Sequence, residues 1–248
     1  MQLHPKPIHT FILYSQREQD RLPQVRLIQS AFEQVELIEA VYPKYTHVPF
    51  LAQLIEVSKQ RTGRALLTNE IGVLLGHRII WKHILKEVSS DVEHFMIFES
   101  DSKINDLALF KANFHEYTKK YDLFFWGAWD GHARIKKSTI QFEHGAFKIG
   151  EPLIKSVYCT YGYSLNKKAA ALLLKSTNKI AYPVDIFKKY IPKGSLRLGA
   201  ARPEIVSAWY NTPSTIRKEG VSKKIKNWCI VQSPMYPKTK TSHSIQLA

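Results

Sequence analysis

Two carboxylates directly follow a short apolar segment near the middle of the chain. Residues 94–98 read His-Phe-Met-Ile-Phe, typical of a buried strand, and Glu99 and Asp101 come next with one residue between them. Side chains two positions apart on an extended segment point the same way, which predicts both carboxylates on one side of the strand end. Such a pair suits Mg²⁺ or Mn²⁺, which bind one or two carboxylates together with water and substrate phosphate. The alternatives are a solvated pair of loop acids and a helix N-cap.

A second segment, residues 66–85, places an acid and a histidine on an apolar helical stripe. The stripe consists of Glu70, Leu74, His77, Trp81 and Ile84. Because these positions recur at helical spacing, Glu70 and His77 face inward with the apolar residues. Buried ionisable groups need partners, so each is bound either to a ligand or to other protein groups. The alternatives are a first-turn acid stabilised by the helix dipole for Glu70 and a satisfied core histidine for His77.

Further charged residues follow other predicted strands. Arg17 and Arg21 come after the first strand, Asp130 follows Asp-Leu-Phe-Phe-Trp-Gly-Ala-Trp, and Asp185 lies within Tyr-Pro-Val-Asp-Ile-Phe. Arginine can hold a phosphate or a carboxylate through two hydrogen bonds. An aspartate in an apolar setting has a raised pKa and can act as a general base. For Asp185, after Pro183, a helix-start acid is the alternative.

Strands alternate with helices along the chain, which predicts an α/β fold with a mostly parallel sheet. The predicted strands are 9–14, 35–40, 94–98, 122–126, 157–165 and one or two within 196–209, and the predicted helices are 19–32, 69–86, 166–174 and a short one at 183–190. Ligands of such sheets bind beyond the carboxyl ends of the strands. We therefore expect the segments 14–21, 99–101 and 127–130 to line one crevice.

The net positive charge of the chain comes from its second half. Residues 1–125 contain 15 Lys and Arg and 15 Asp and Glu, whereas residues 126–248 contain 21 and 6, which accounts for the formal net charge of +15. This asymmetry indicates an anionic partner such as nucleic acid, anionic lipid or phosphorylated glycan, with a solubilising lysine surface as the alternative. From about residue 211 the composition turns to Lys, Ser, Thr and Pro. We predict one domain over 1–210 and a basic tail over 211–248.

Several protein classes lack support. The chain contains no glycine-rich phosphate loop, no Gly-x-Gly-x-x-Gly and no Gly-x-Ser-x-Gly. No motif therefore supports assignment as a kinase, a P-loop protein, a Rossmann dehydrogenase or a serine hydrolase. Two cysteines are too few for a disulfide framework, and no apolar run is long enough to cross a membrane. We expect a cytoplasmic protein with free thiols.

Taken in order, the segments described above resemble glycosyltransferase family 25, which includes bacterial lipooligosaccharide galactosyltransferases. The resemblance covers roughly residues 8–210, with gaps. The matching segments are FILYSQREQDR, ending in Asp20-Arg21, then VELIEAV, LLTNEIGVLLGHRIIWKHIL, MIFESD, YGYSLNKKAAALLL and Pro183-Val184-Asp185. This sequence departs from the family pattern at Asn69, which replaces a Gly, at Gly76, which replaces a Ser, and at Ser100, which replaces the middle acid of Glu-Asp-Asp.

The resemblance implies a GT-A-like fold, a nucleotide-sugar donor (UDP-galactose most often) and an inverting transfer assisted by Mn²⁺ or Mg²⁺. Glu99 and Asp101 then bind the metal, and Asp185 is the expected base, with Asp130 second. Arg21 is expected to contact the nucleotide.

On the same resemblance, Glu70 and His77 shape the donor pocket, either in direct contact with the donor or as supports of the acid pair. The expected acceptor is a lipooligosaccharide or another anionic glycan. Independently of the resemblance, the basic second half of the chain predicts peripheral contact with the inner face of the membrane. A catalytically inactive module that binds a glycan or nucleotide is the alternative. Nucleic-acid binding lacks a recognised motif.

Overall fold

The computed structural model describes residues 6–86, 93–128, 133–144 and 147–209. All of them belong to one compact unit. The strands are β1 (His9–Tyr14), β2 (Gln34–Glu39), β3 (Phe95–Glu99), β4 (Ser102–Ile104), β5 (Leu123–Phe125), β6 (Phe142–His144), β7 (Phe147–Gly150), β8 (Gly162–Leu165), β9 (Leu198–Arg202) and β10 (Val206–Ala208). The helices are α1 (Leu22–Ala31), α2 (Leu51–Thr62), α3 (Thr68–Lys86), α4 (Leu107–Thr118) and α5 (Lys167–Ser176). The predicted tail, 211–248, lies outside the described residues.

Eight of the strands form one mixed sheet, in the order β2-β1-β3-β8-β5-β9-β7-β6. The α/β class is therefore confirmed. The β1–β2, β1–β3 and β5–β9 pairs are parallel, and the other four pairs are antiparallel. The prediction of a mostly parallel sheet holds for β2-β1-β3, whereas β8 enters antiparallel between β3 and β5. Consequently the carboxyl ends of β1, β3 and β5 and the amino end of β8 meet at one edge.

The sheet has an apolar core on each face because the strand residues alternate. Phe11 and Ile97 pack on one side with α3 and α5, and Ile12 and Phe98 pack on the other side with α1 and α4. This alternation is the side-chain period of a strand, and with helices on both faces of the sheet the described unit has three layers. No helix among the described residues is both long and apolar enough to cross a membrane.

Helix α3 packs against the carboxyl end of β1 and the segment after β2 through two glycines. A Cβ at Gly72 would lie 2.2 Å from the carbonyl oxygen of Val41, and a Cβ at Gly76 would lie 2.7 Å from Cδ1 of Leu13. A Cβ at Gly72 would meet fixed backbone, whereas a Cβ at Gly76 would meet the end of the Leu13 side chain. The close approach brings His77, which follows Gly76, to the end of β3.

Two local predictions near the site differ from the structure. The strand predicted over 157–165 is confined to Gly162–Leu165, and the predicted helix after Pro183 is only a 3₁₀ turn at Phe187–Lys189. Asn166 caps α5 as predicted, since its side chain accepts a hydrogen bond from the Ala169 N–H at 3.0 Å.

Candidate active site

Glu99 ends β3 at the shared sheet edge, and a tight turn follows it. The Ser102 hydroxyl accepts a hydrogen bond from the Glu99 N–H at 3.0 Å and is 2.7 Å from the Glu99 carbonyl oxygen. Residues 100 and 101 occupy the turn between β3 and β4. The expectation of an extended Glu99–Asp101 segment is therefore wrong, because residues 100 and 101 form a turn. The turn nevertheless keeps both carboxylates at the same edge.

A chain of buried hydrogen bonds holds Glu99. The indole N–H of Trp81 donates to the Tyr163 hydroxyl at 3.0 Å, and that hydroxyl lies 2.9 Å from Nδ1 of His77. Because an indole can only donate, the Tyr163 proton is available to Nδ1, which leaves the proton of a neutral His77 on Nε2. Nε2 then donates to Oε1 of Glu99 at 3.0 Å. His77 is fully buried, and its predicted inward orientation is confirmed.

The pKa of Glu99 is set by opposing influences. Burial alone would raise it, but the hydrogen bond and charge of His77, a hydrogen bond from Thr160 and the charge of Arg21 hold the pKa below its usual value. The Thr160 hydroxyl donates to the same Oε1 that accepts from His77. Glu99 is thus an oriented carboxylate, and within the described residues its hydrogen bonds from His77 and Thr160 both go to Oε1. Cys159, next to Thr160, has a left-handed backbone with φ +92°, a conformation that costs free energy in a non-glycine residue.

Asp101 is paired with a buried arginine from the loop after β1. Nη1 of Arg21 lies 3.2 Å from Oδ2 of Asp101, and Arg21 is only 7% exposed. Burial, followed by the charge of Glu99, raises the pKa of Asp101 to about 6, against the opposing charge of Arg21. A cation bound between Glu99 and Asp101 would relieve this repulsion.

Glu18 joins the cluster from the same loop, although it was not selected from the sequence. Its Oε2 accepts a hydrogen bond from the Ser100 hydroxyl at 3.0 Å and lies 3.5 Å from Nη1 of Arg21. The side chain is 10% exposed, and its Oε1 has no hydrogen-bond partner among the described residues. We call Glu18, Arg21, Glu99, Ser100 and Asp101 the acidic cluster.

Glu70 caps the start of α3. Its Oε2 accepts a hydrogen bond from the Leu67 N–H at 2.9 Å, and its Oε1 lies 2.7 Å from Nη2 of Arg64. These contacts match the alternative prediction for Glu70, an acid in the first turn of the helix. Its charge still reaches the site, because it contributes to the raised pKa of Asp185.

Asp185 lies near the acidic cluster but outside its hydrogen bonds. Burial and, after it, the charges of Glu99 and Glu70 raise the pKa of Asp185 to about 6. Its Oδ1 is buried without a hydrogen-bond partner among the described residues. A carboxyl group in this state accepts a proton readily near neutral pH. Asp130, the second expected base, lies outside the described residues.

The donor set fits a divalent cation only in part. Within the described ranges, no group of three or more His, Cys, Asp or Glu side chains is arranged to hold a metal. Glu99 and Asp101 supply two hard oxygen ligands, which is the usual protein share of a Mg²⁺ or Mn²⁺ site completed by substrate phosphates and water. The cluster therefore fits a cation that binds together with a phosphate ligand.

The fold and the acidic cluster define an α/β protein with a polar site at the carboxyl edge of its sheet. A family model for glycosyltransferase family 25, described as LPS biosynthesis protein, matches residues 9–188. The chain belongs to this family. The assignment makes it a glycosyltransferase of lipopolysaccharide biosynthesis, and the matched range contains every described residue that we selected for the site.

Other comparisons are more distant. No curated protein matches the chain. Among solved structures, A197 from STIV aligns with a TM-score of 0.40 and 12% identity, covering 81% of this chain and 84% of that one. A nucleoside-diphosphate-sugar pyrophosphorylase from Vibrio cholerae RC9 aligns with a TM-score of 0.32 and 13% identity, covering 77% of this chain and 70% of that one.

Proposed function

We propose that this protein is an inverting hexosyltransferase that moves galactose from UDP-galactose to a lipooligosaccharide or another glycan acceptor. The observation that carries the proposal is the acidic cluster, in which Glu99 and Asp101 lie at one sheet edge beside a single buried guanidinium. In α/β sheets this edge is where ligands bind. Family membership supplies the class of reaction.

Glu99 and Asp101 would hold Mn²⁺ or Mg²⁺ in the enzyme–donor complex. When bound, the cation neutralises the negative charge that develops on the departing nucleoside diphosphate. His77 and Thr160 keep the Glu99 carboxylate ionised and oriented through its Oε1. Arg21 orients Asp101 and adds a fixed positive charge for the diphosphate.

Asp185 acts on the acceptor. Its carboxylate takes the proton of the acceptor hydroxyl while the acceptor oxygen bonds to the anomeric carbon and the bond from that carbon to the diphosphate breaks on the opposite face. A base with a pKa of about 6 is ionised at pH 7.5 and still basic enough to assist. Asp130 remains the second proposed base.

A basic groove beside the Asp185 segment supports an anionic acceptor. Its volume is about 370 Å³, and its lining residues include no acid. The lining residues are Arg61, Lys175, Ser176, Asn178, Lys179, Ala181, Tyr182, Lys189 and Tyr190. The cations can hold phosphate or carboxylate groups of a glycan, and we propose cytoplasmic action with peripheral contact at the inner face of the membrane.

A thermal-shift screen of UDP-sugars with and without Mn²⁺ tests the donor and the metal together. A ligand that binds the folded state raises the melting temperature by mass action. We expect UDP-galactose to give the largest shift, and only with Mn²⁺. An equal shift without metal would contradict the metal proposal, and a larger shift with another UDP-sugar would replace galactose.

The alternative, a catalytically inactive module that binds a glycan or nucleotide, is favoured by Ser100 at the middle position of the acid motif. Hydrolysis of UDP-galactose in the absence of acceptor separates the two functions, because a binding module releases no UDP. Binding with no release would support the module.

A further inference from the structure

One nitrogen of the Arg21 guanidinium, Nη1, lies close to more hydrogen-bond acceptors than it has hydrogens to donate. Nη1 carries two hydrogens, and it lies 3.1 Å from the Ser100 hydroxyl, 3.2 Å from Asp101 and 3.5 Å from Glu18. The longest of these distances belongs to Glu18, which instead accepts a hydrogen bond from the Ser100 hydroxyl. Ser100 therefore links Glu18 to Arg21.

The charges of the acidic cluster match a divalent cation only when Glu18 is counted. Three carboxylates, those of Glu18, Glu99 and Asp101, share one guanidinium, that of Arg21, which contacts Glu18 and Asp101 and acts on Glu99 through its charge. The formal charge of the cluster is then −2. Without Glu18 it would be −1, and Arg21 would pair with Asp101 alone. Within the described chain, Glu18, Glu99 and Asp101 are not arranged to hold one cation together.

We propose that Glu18 supplies, from the loop after β1, the negative charge that is absent at Ser100, and that it acts through Ser100 and Arg21 as a positioning residue for Glu99 and Asp101. The carboxylate of Glu18 partly neutralises the positive charge of Arg21. The carboxylate of Asp101 is then less fully paired with Arg21 and can bind a divalent cation. The inference rests on the proposed function of this site, because it concerns the same cation. Carboxylates that support ligands in this way commonly change metal affinity 10–100-fold when removed.

A charge swap tests this role. Mn²⁺ binding in the presence of UDP is measured by electron paramagnetic resonance for the wild type, Glu18→Gln, Ser100→Asp and the double variant. We expect Glu18→Gln to weaken Mn²⁺ binding about tenfold or more. In the double variant, the acid moves to position 100 and the amide at position 18 can donate to it, so Mn²⁺ affinity should return to within about threefold of the wild type.

Thermal stability without metal provides a readout independent of Mn²⁺. Ser100→Asp alone places a carboxylate where the Ser100 hydroxyl now lies 3.0 Å from Glu18; like charges so close repel each other. We expect this variant to melt lower than the wild type and the double variant to recover most of the loss.

Glu39→Gln is the matched control. Glu39 ends β2 at the same sheet edge and also accepts from a serine, the Ser15 hydroxyl at 2.8 Å, but it makes no contact with Arg21. Its loss should leave Mn²⁺ affinity unchanged. Unchanged affinity in Glu18→Gln, or a double variant that regains stability but not Mn²⁺ binding, would overturn the role of Glu18. Absence of Mn²⁺ binding by the wild type would instead overturn the metal site itself, and the role of Glu18 with it.

Discussion

At the scale of residues, the site depends on how charge is shared among a few buried groups. His77 fixes one oxygen of Glu99, while Arg21 divides its positive charge between Asp101 and Glu18. The two carboxylates proposed for the metal therefore differ. Glu99 stays ionised because its pKa is held low, whereas Asp101 has a pKa of about 6. Because of this difference, the ionisation of Asp101 is more sensitive than that of Glu99 to a ligand bound nearby.

Asp101→Asn should abolish transfer and leave the fold intact. The amide removes one carboxylate ligand and costs several kcal/mol of charge stabilisation in the transition state, so we expect turnover to fall at least about 100-fold. Steady-state assays with the native metal measure the loss, and circular dichroism checks the fold. Near-normal turnover would show that Asp101 does not bind the metal.

Asp185→Asn should lower turnover about 10²–10⁴-fold, the usual contribution of a general base, with donor affinity little changed. In the wild type, turnover should fall as the pH drops through about 6, because Asp185 must be ionised to accept the proton. Initial rates across pH 5–8 and UDP titrations measure these effects. Unchanged turnover would move the role to Asp130.

The same substitution should stabilise the protein at pH 7.5. The pKa of Asp185 is raised from 3.8 to about 6 in the folded state, so the folded state binds more protons between these values and the free energy of unfolding decreases as pH rises through them. Above pH 6 the buried charge is a net cost that the amide removes. A gain of about 1 kcal/mol would raise Tm by roughly 2–4 °C.

Asp106→Asn is the control for this stability effect, because Asp106 only caps α4 by accepting from the Leu109 N–H, and Asn caps equally well. Its turnover and Tm should stay at wild-type values. A fall in Tm for Asp185→Asn would indicate a structural role for Asp185 at the start of the 183–190 segment.

At the scale of elements, helix α3 determines where His77 lies. Gly72→Ala should destabilise the protein more than Gly76→Ala, because the new Cβ meets the backbone carbonyl of Val41 in the first variant and the end of the Leu13 side chain in the second. Overpacking against fixed atoms costs about 1–3 kcal/mol. Urea unfolding of the two variants measures the difference. Equal stability would show that α3 can shift without cost.

The sequence predicted elements well where apolar patterns were strong. β1 has the predicted bounds, and α3 agrees within one residue. No helix was predicted at α2 or α4, although Gly63 with φ +74° ends α2 and Asp106 caps α4. These signals are local and common, so they identify a helix only when packing against the sheet is known.

The site could be predicted only where it coincided with motifs. His77, Glu99, Asp101 and Arg21 were selected from the sequence, and the structure brings them together. Glu18 lies in the segment FILYSQREQDR but was not selected there, and Thr160 lies just before the segment YGYSLNKKAAALLL. Contacts across 82 and 61 residues bring them to the site. Such long-range contacts depend on the order of the strands in the sheet, and that order could not be predicted from the sequence.

At the scale of the whole molecule, we propose that the basic residues attract an anionic acceptor and an anionic membrane surface. Replacing Lys175, Lys179 and Lys189 with Gln should weaken binding to anionic vesicles at low salt without changing donor affinity, since each basic residue near such a surface contributes about 1 kcal/mol. The tail lysines Lys223, Lys224 and Lys226 lie outside the described residues, and the same outcome is predicted for their replacement.

Vesicle sedimentation at two salt concentrations measures the effect. Replacement of Lys111, Lys119 and Lys120, in and just after α4 and away from the groove, is the control and should leave binding near the wild-type value. Equal sedimentation of the wild type with neutral and anionic vesicles would leave the lysines as a solubilising surface.

We propose above all that the acidic cluster binds a cation and a UDP-sugar for transfer. Release of UDP from UDP-galactose, measured with Mn²⁺ and with EDTA in the wild type and in Asp101→Asn, tests it most directly. We expect release by the wild type with Mn²⁺, and no release with EDTA or from the variant. Release that persists in EDTA, or that survives loss of Asp101, would contradict it.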